Sequence, residues 1–374
     1  MPSKIARRII AQAGMPGLDS VLAGQLSAAD LQSLLLEVYG SRVARIRESD
    51  LVSRSLRSPL LAPSSADARA MNRLDGIAFA EAPEFEAIDL SPVCALGLSS
   101  VLGRIHQNNV LTTIRNAEVL GDSTPALAME AVRRRRHSRG EPVRVCSSHR
   151  VVRLQPFDFP GFTPHFRLFA LVSAGRDKGA SRFEIHELRT HIRFYLKLFR
   201  ALNAEGVCLT DPLVEVSDLA ATEALLKAAG VSRDDVRKNV RAHLPGSSGR
   251  FLAERGIQLP SDIADVLSQW RHLSPFKESV FDTLATEFPE ARFRFNLARL
   301  EGLGYYDGLC LRISPVAPDG VRYPVADGGF TDWTARLLQD RKERLLISGI
   351  GSEFVCRRYL AVAKRKSAAH DPPE

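Results

Sequence analysis

Between Arg133 and Arg153 the sequence carries eight arginines against a single acid, Glu141, in a chain of formal net charge +8. Guanidinium groups at that density hold phosphate through paired hydrogen bonds, whether the phosphate belongs to a nucleotide or to RNA. A solvated helix end followed by an exposed loop has the same composition with no ligand, and both readings stand for Arg133, Arg134, Arg135 and Arg136. A second cluster, His186, Glu187 and His191, resembles a zinc-binding helix only superficially. Five residues on an α-helix separate two side chains by about 140°, whereas metal-binding pairs stand three or four apart. The five cysteines, Cys94, Cys146, Cys208, Cys310 and Cys356, are scattered and form no Cys-x-x-Cys pair. Reduced, mostly buried thiols are expected, not disulfides or a zinc site.

The background to these residues is that of a water-exposed folded protein: 374 residues, 45% hydrophobic and 25% charged, enough for about two domains. Its longest apolar runs fall well short of the ~20 residues that a bilayer span requires. The first twelve residues carry Lys4, Arg7 and Arg8 but no following apolar core, so no secretion signal is read there. No membrane association and a cytoplasmic location are expected.

The elements that must position the chemistry follow from periodicity. Ser27 opens a helix over 27–38, after which 52–75 loses periodicity, with Pro59, Pro63, Ser64 and Ser65 punctuating a loop. The β-branched run 110–115 predicts a strand, and 124–136 predicts a helix with Pro125 in its first turn. Two strands, 143–154 and 166–174, are joined by a Pro- and Phe-rich loop, 155–165, where a ligand could sit. A strong helix covers 184–202. Strands at 293–297, 309–314 and 345–350 come later, with a helix over 332–339. The pattern predicts an α/β (α+β) architecture built on a mainly antiparallel sheet flanked by helices. Residues 1–109 form a helical or irregular lead-in, 110–216 and 291–360 the core, 217–290 a helical insertion, and 361–374 a disordered polar tail.

Several segments between about 110 and 358 line up in order with class II aminoacyl-tRNA synthetases. The likeness is closest to histidyl-tRNA synthetase and to the synthetase-like regulatory subunit of ATP phosphoribosyltransferase. Asp122-Ser123-Thr124-Pro125, ahead of a helix ending in arginines, resembles the family's Leu-Arg-Pro-Glu/Asp-x-Thr segment. The resemblance implies that Asp122 and Thr124 face a substrate ammonium. Val152-Arg153-Leu154-Gln155 resembles Phe-Arg-x-Glu of motif 2, which implies that Arg153 binds the ATP α-phosphate and acts catalytically, with Gln155 in the place of the acid. Phe166-Arg167-Leu168-Phe169 resembles Arg-x-Phe, which implies adenine stacking by Phe169 and a nucleotide contact by Arg167. Such an arginine would neutralise charge developing on phosphorus as a carboxylate attacks.

Leu300-Glu301-Gly302-Leu303-Gly304-Tyr305-Tyr306-Asp307-Gly308 resembles Arg-Gly-Leu-Asp-Tyr-Tyr-Thr-Gly of the histidyl branch. Its catalytic arginine falls at Glu301 and its Asp at Gly304, leaving Tyr305 and Tyr306 to line a substrate pocket. Gly328-Gly329-Phe330-Thr331-Asp332 stands for Gly-Gly-Arg-Tyr-Asp, and Gly349-Ile350-Gly351-Ser352-Glu353-Phe354 for motif 3, Gly-x-Gly-x-Glu-Arg. Glu353 is thereby implied as an ATP and Mg²⁺ ligand, while Phe354 replaces the γ-phosphate arginine. An adenylating site surrounds about four phosphate charges with cations, so Glu301 and Phe354 weigh against ATP turnover. The chain also ends about where the catalytic core of the family ends, and no anticodon-binding domain of ~100 residues is expected.

Three readings remain open. The first is a paralogue that binds an amino acid or ATP without charging tRNA, in a regulatory or accessory role beside a catalytic partner protein. The second is an ATP-dependent ligase that forms an acyl-adenylate from an amino acid or small acid. The third is a protein that binds tRNA-like RNA through the arginine block. A homodimer is expected by analogy with class II cores.

Overall fold

The central strand of the molecule is apolar along most of its length, and so it must be covered on both faces. The computed structural model describes residues 3–138, 140–155, 163–240, 246–260 and 262–360. Its ten strands are β1 (Glu86–Ala87), β2 (Val93–Ala95), β3 (Ala117–Val119), β4 (Val143–Val152), β5 (His165–Arg176), β6 (Thr210–Asp218), β7 (Arg292–Phe295), β8 (Leu309–Val316), β9 (Ala326–Thr331) and β10 (Glu343–Ile350). Eight of them form one sheet in the order β1-β4-β5-β10-β9-β8-β6-β7. The inner pairs are antiparallel, and only the outermost ones, β1 with β4 and β6 with β7, run parallel.

Helices cover both faces. The Arg182–Ala204 helix presents Leu188, Ile192, Tyr195, Phe199 and Leu202 at helical spacing. They pack on one face, against Phe169 and Leu171 of β5. The Ser123–His137 helix covers the other with Leu127, Ala128 and Ala131, joined by Trp333. The expected mainly antiparallel sheet flanked by helices is therefore the architecture found.

Local expectations fared unevenly. No strand spans 110–115; Thr112 alone bridges to Glu118, because Asn116, at φ 53°, turns the chain back into β3, which pairs with β2 in a separate small sheet. The loop around Pro59, Pro63, Ser64 and Ser65 is present over 58–67, but 52–75 as a whole also holds the end of the Glu48–Arg57 helix and the start of the Ala68–Ala80 helix. The latter buries Met71, Leu74, Asp75 and Ala78, a helical stripe that intervening arginines mask in the sequence. The helical block at 217–290 divides. Leu226, Val236, Phe251 and Leu252 form their own cluster with Leu300, whereas Val266, Leu273, Phe276, Val280 and Phe281 join the main core. The tail 361–374 lies outside the described residues. Among the described residues no helix is long and apolar enough to cross a membrane.

Candidate functional site

On the face of the sheet that carries the Ser123–His137 helix, a cavity of about 320 Å³ opens over β5, β10 and β9. Asp122, Thr124, Arg153, Tyr305 and Tyr306, five of the residues singled out in the sequence, line it together. Asp122 caps the helix: its Oδ1 accepts the Thr124 amide at 2.9 Å and the Thr124 hydroxyl at 3.0 Å. Its Oδ2 accepts Arg153 Nη2 at 2.9 Å, and Arg153 Nε donates to the Gly121 carbonyl at 2.7 Å. Arg153 is thus fixed, and Asp122 still borders the cavity. An acid beside a hydroxyl offers acceptors that an ammonium can donate to.

The tyrosines are held by glycines. A Cβ on Gly329 would stand 2.6 Å from Tyr306 Cδ1, and one on Gly302, at φ +95°, 2.7 Å from Cδ2. The ring occupies the space where those side chains would be. Tyr306 donates to Asp327 Oδ1 at 2.7 Å, and Tyr305 meets Tyr306 and Trp333 edge-on at 4.9 and 5.7 Å. Burial, reinforced by the charges of Asp327 and Asp122 respectively, pushes both phenols well above their ordinary range. They stay neutral hydrogen-bond donors.

Asp327, Arg299 and Arg312 belong to the floor and were not legible in the sequence. Buried Arg299 donates Nη2 to both Asp327 oxygens, at 2.9 and 2.7 Å, and Arg312 Nε reaches Asp327 at 3.3 Å. Burial raises the Asp327 pKa, but the two guanidiniums overcome it and hold the carboxyl below the usual range. Glu301 accepts the Ser248 hydroxyl at 3.2 Å and lies 3.8 Å from Arg312. Across β9, β8, β6 and β7, Asp327, Arg312, Glu215 and Arg294 stand in register as a row of alternating charge. The available signals were the position of Asp327 directly before Gly328-Gly329 and of Arg299 two residues before Glu301.

Three other sequence-selected residues fall elsewhere. Phe169 cannot stack on adenine in this cleft. Successive strand residues face opposite ways, and Phe169 points to the other side, fully buried between Phe79 and Phe194 at 5.1 and 5.5 Å. The aromatic on the cleft side is Phe166. Arg167 shares the face of Phe169 and pairs with Asp75 at 2.7 Å instead of a nucleotide. Glu353 is 1% exposed, with one oxygen on the Ser64 hydroxyl at 2.5 Å and the other between Arg150 at 3.0 Å and the Arg167 amide at 3.2 Å. With both oxygens committed, Glu353 does not fit as a Mg²⁺ ligand, and among the described residues no group of three or more His, Cys, Asp or Glu could hold a metal. The triphosphate fits poorly for the same reason: the cleft arginines 153, 299 and 312 already face acids. A neighbouring compartment of about 210 Å³, mostly apolar, shares Leu168, Asp327 and Gly349 with the cavity and adds Phe166, Phe354 and Arg357.

Most of the arginine block is paired with acids of the protein itself, while Arg136 stays exposed. Arg133 and Arg134 pair with Glu130, Arg134 also with Glu86, Arg144 with Glu187, and Arg150 with Glu353. Arg135, entirely buried, makes a two-pronged pair with Glu343 at 2.8 Å. A continuous phosphate-binding surface is not what these side chains present; Arg139 lies outside the described residues. His186 and His191 do not converge: His186 is half exposed, while His191 sits in the core between Ser173 at 2.9 Å and Ser348 at 2.8 Å. Of the cysteines, Cys146, Cys310 and Cys356 are buried, which pushes each thiol up to about 12.

No family model matches the sequence, and no curated protein is similar to it in sequence. Solved structures are similar in fold. Histidyl-tRNA synthetase from Nostoc sp. PCC 7120 is 16% identical at a TM-score of 0.58, over 84% of this chain and 76% of that one. A histidine–tRNA ligase subunit from Alicyclobacillus acidocaldarius is 17% identical at a TM-score of 0.56, over 83% and 98%. An ATP phosphoribosyltransferase regulatory subunit/histidyl-tRNA synthetase from Bacillus halodurans is 14% identical at a TM-score of 0.55, over 79% and 82%. At such identities the likeness is one of fold, and it agrees with the order of sheet, helices and cleft described above: the chain is built on a class II synthetase-like core.

Proposed function

We propose that this protein is a class II synthetase paralogue that binds a free amino acid in the Asp122–Arg153 cleft and does not adenylate it. One observation carries the reading. Of the groups that would hold ATP by resemblance, Arg167 and Glu353 lie outside the cavity and are tied to protein partners, while Asp122, Thr124 and Arg153, suited to an ammonium and a carboxylate, border it together. A cavity of about 320 Å³ lies at the small end of ligand sites and suits an amino acid. Asp122 and Thr124 receive the ammonium, Arg153 is placed to attract the carboxylate, and Tyr305 and Tyr306 enclose the side chain. An accessory or regulatory role beside a catalytic partner protein, as a homodimer, accords with a site that binds without turning over.

The adenylating reading draws on the second compartment, where Phe166 offers an aromatic face and Arg357 a cation. A single experiment separates the two: ATP-dependent pyrophosphate release across the twenty amino acids, run beside thermal-shift titrations of the same ligands. The proposal expects stabilisation by one or a few amino acids and no pyrophosphate. Release that depends on one amino acid and disappears in Arg153→Ala overturns it in favour of the ligase.

A further inference from the structure

Beside the cleft stands a charge that its floor does not carry. On the floor the acids and guanidiniums cancel: Asp122 against Arg153, and Asp327 and Glu301 against Arg299 and Arg312. Directly before Tyr305 of the lining stands Gly304, at φ +74°, where the resemblance would place an aspartate. A Cβ there would meet Arg104 Nη1 at 2.9 Å and Arg233 Nη1 at 3.2 Å. Two guanidiniums therefore converge where the related motif has a carboxylate, and the polarity of that corner is reversed.

Arg104 is the unbalanced member. Arg233 shares its charge with Glu223, with Nη2 donating at 2.7 Å, whereas Arg104 pairs with no acid among the described residues. Its backbone is held at φ 51°, a left-handed conformation that a long side chain seldom adopts. The neighbours impose it: Gly103 and Ile105 both line the cavity, and the Ile105 amide donates to the Ser99 carbonyl at 3.0 Å. Strain of this kind persists where the surroundings fix it, and here it holds an exposed cation between two residues of a cavity that an acid, Asp122, also lines.

We infer that the cleft takes an α-amino acid with an acidic side chain, its ammonium on Asp122 and its side-chain anion on Arg104, assisted by Arg233. This rests on the amino-acid-binding reading above and narrows it. A zwitterion of zero net charge leaves Arg104 without a counter-ion, whereas one further negative charge balances the site. Carboxylate and phosphate share the recognition chemistry, since both accept paired guanidinium hydrogen bonds.

The test is calorimetric titration of the full chain with L-aspartate, L-glutamate and O-phospho-L-serine, each beside its uncharged counterpart L-asparagine, L-glutamine or L-serine. The wild-type protein is expected to bind one acidic member at least about tenfold more tightly than its counterpart, as a charge-assisted pair provides; which member wins distinguishes carboxylate from phosphate. Arg104→Gln, which removes an exposed side chain, is expected to erase that ratio and to change the affinity of the uncharged counterpart far less, because the amide or hydroxyl of that ligand offers the guanidinium only a neutral acceptor and no charge. Asp122→Asn is expected to weaken both. Equal binding of charged and uncharged members, or a ratio that survives Arg104→Gln, overturns the acidic-ligand inference and leaves amino-acid binding standing. Failure of every amino acid to bind overturns both.

Discussion

The two faces of the sheet at β4 and β5 gather the same residue types and do different things with them. On the packed face Arg167 meets Asp75, Arg150 meets Glu353, and Phe169 lies among aromatic rings. On the cleft face Arg153 meets Asp122 beside Leu168, and a cavity remains. Both faces have arginine, acid and aromatic side chains; what separates them is filling. The packed face receives bulk from the Ala68–Ala80 and Arg182–Ala204 helices. The cleft face is bordered by Gly349 on β10 and by Gly329 on β9, where Tyr306 takes the space of a side chain and leaves the rest open. An ion pair facing an open volume can exchange its partner for a ligand, and one whose acid is buried, as Asp75 and Glu353 are, serves as a brace.

The largest expected effect tests the packed face. Phe169→Ala removes a fully buried ring and is expected to cost about 3–5 kcal/mol in denaturant unfolding, while the amino-acid affinity of the folded fraction stays unchanged. An affinity loss without destabilisation would put Phe169 back in the ligand site. Next comes pH. Burial, partly opposed by the charge of Glu187, drives the pKa of His191 down to about 3, below the value of about 6.5 in an unfolded chain. The folded state holds the ring neutral, so its contribution is complete above pH 6.5. It then falls by about 1.4 kcal/mol per unit toward pH 3 as only the unfolded chain takes up the proton. Urea midpoints between pH 7.5 and 4.5 should show that slope, and His191→Gln should flatten it.

The cleft face reverses the pattern. Asp122→Asn keeps a helix cap, so stability should change by no more than about 1 kcal/mol, whereas amino-acid affinity should fall at least about tenfold. Leu168→Ala, one residue from Phe169, should likewise alter affinity more than stability; the opposite result would dissolve the distinction between the faces. The smallest effect belongs to Arg136, exposed beyond the paired arginines. Arg136→Ala should shift stability by under about 0.5 kcal/mol and leave ligand binding unaltered.

The same contrast shows where the sequence could be read. Asp122, Thr124, Arg153, Tyr305 and Tyr306 were found because each lies in a contiguous motif, and the fold brings all five to one cavity. Phe169 was misplaced because β5 is apolar toward both faces, which removes the alternation that would have shown which residues point into the cleft. The glycine-rich β9 has little strand propensity; Gly328 and Gly329 are there because Ser348 and Tyr306 fill the positions that their side chains would need. Arg299 and the distant partners of Arg135 and Arg150 lay beyond reach for another reason. Asp327, Glu343 and Glu353 become their counter-ions only through pairings between distant segments, which no local pattern records.

The pair of Arg135 and Glu343 spans 208 residues of sequence, and β5 gains its second neighbour only from β10, with Phe169 opposite Ile350. Contacts of such long range delay folding, since loop closure precedes any gain from packing. As the chain emerges during synthesis, β5 therefore waits with one hydrogen-bonding edge bare, and the buried guanidinium waits without its counter-ion, until the last strand has been made. The cleft is assembled late, and its edges before that moment are what a chaperone would have to shield.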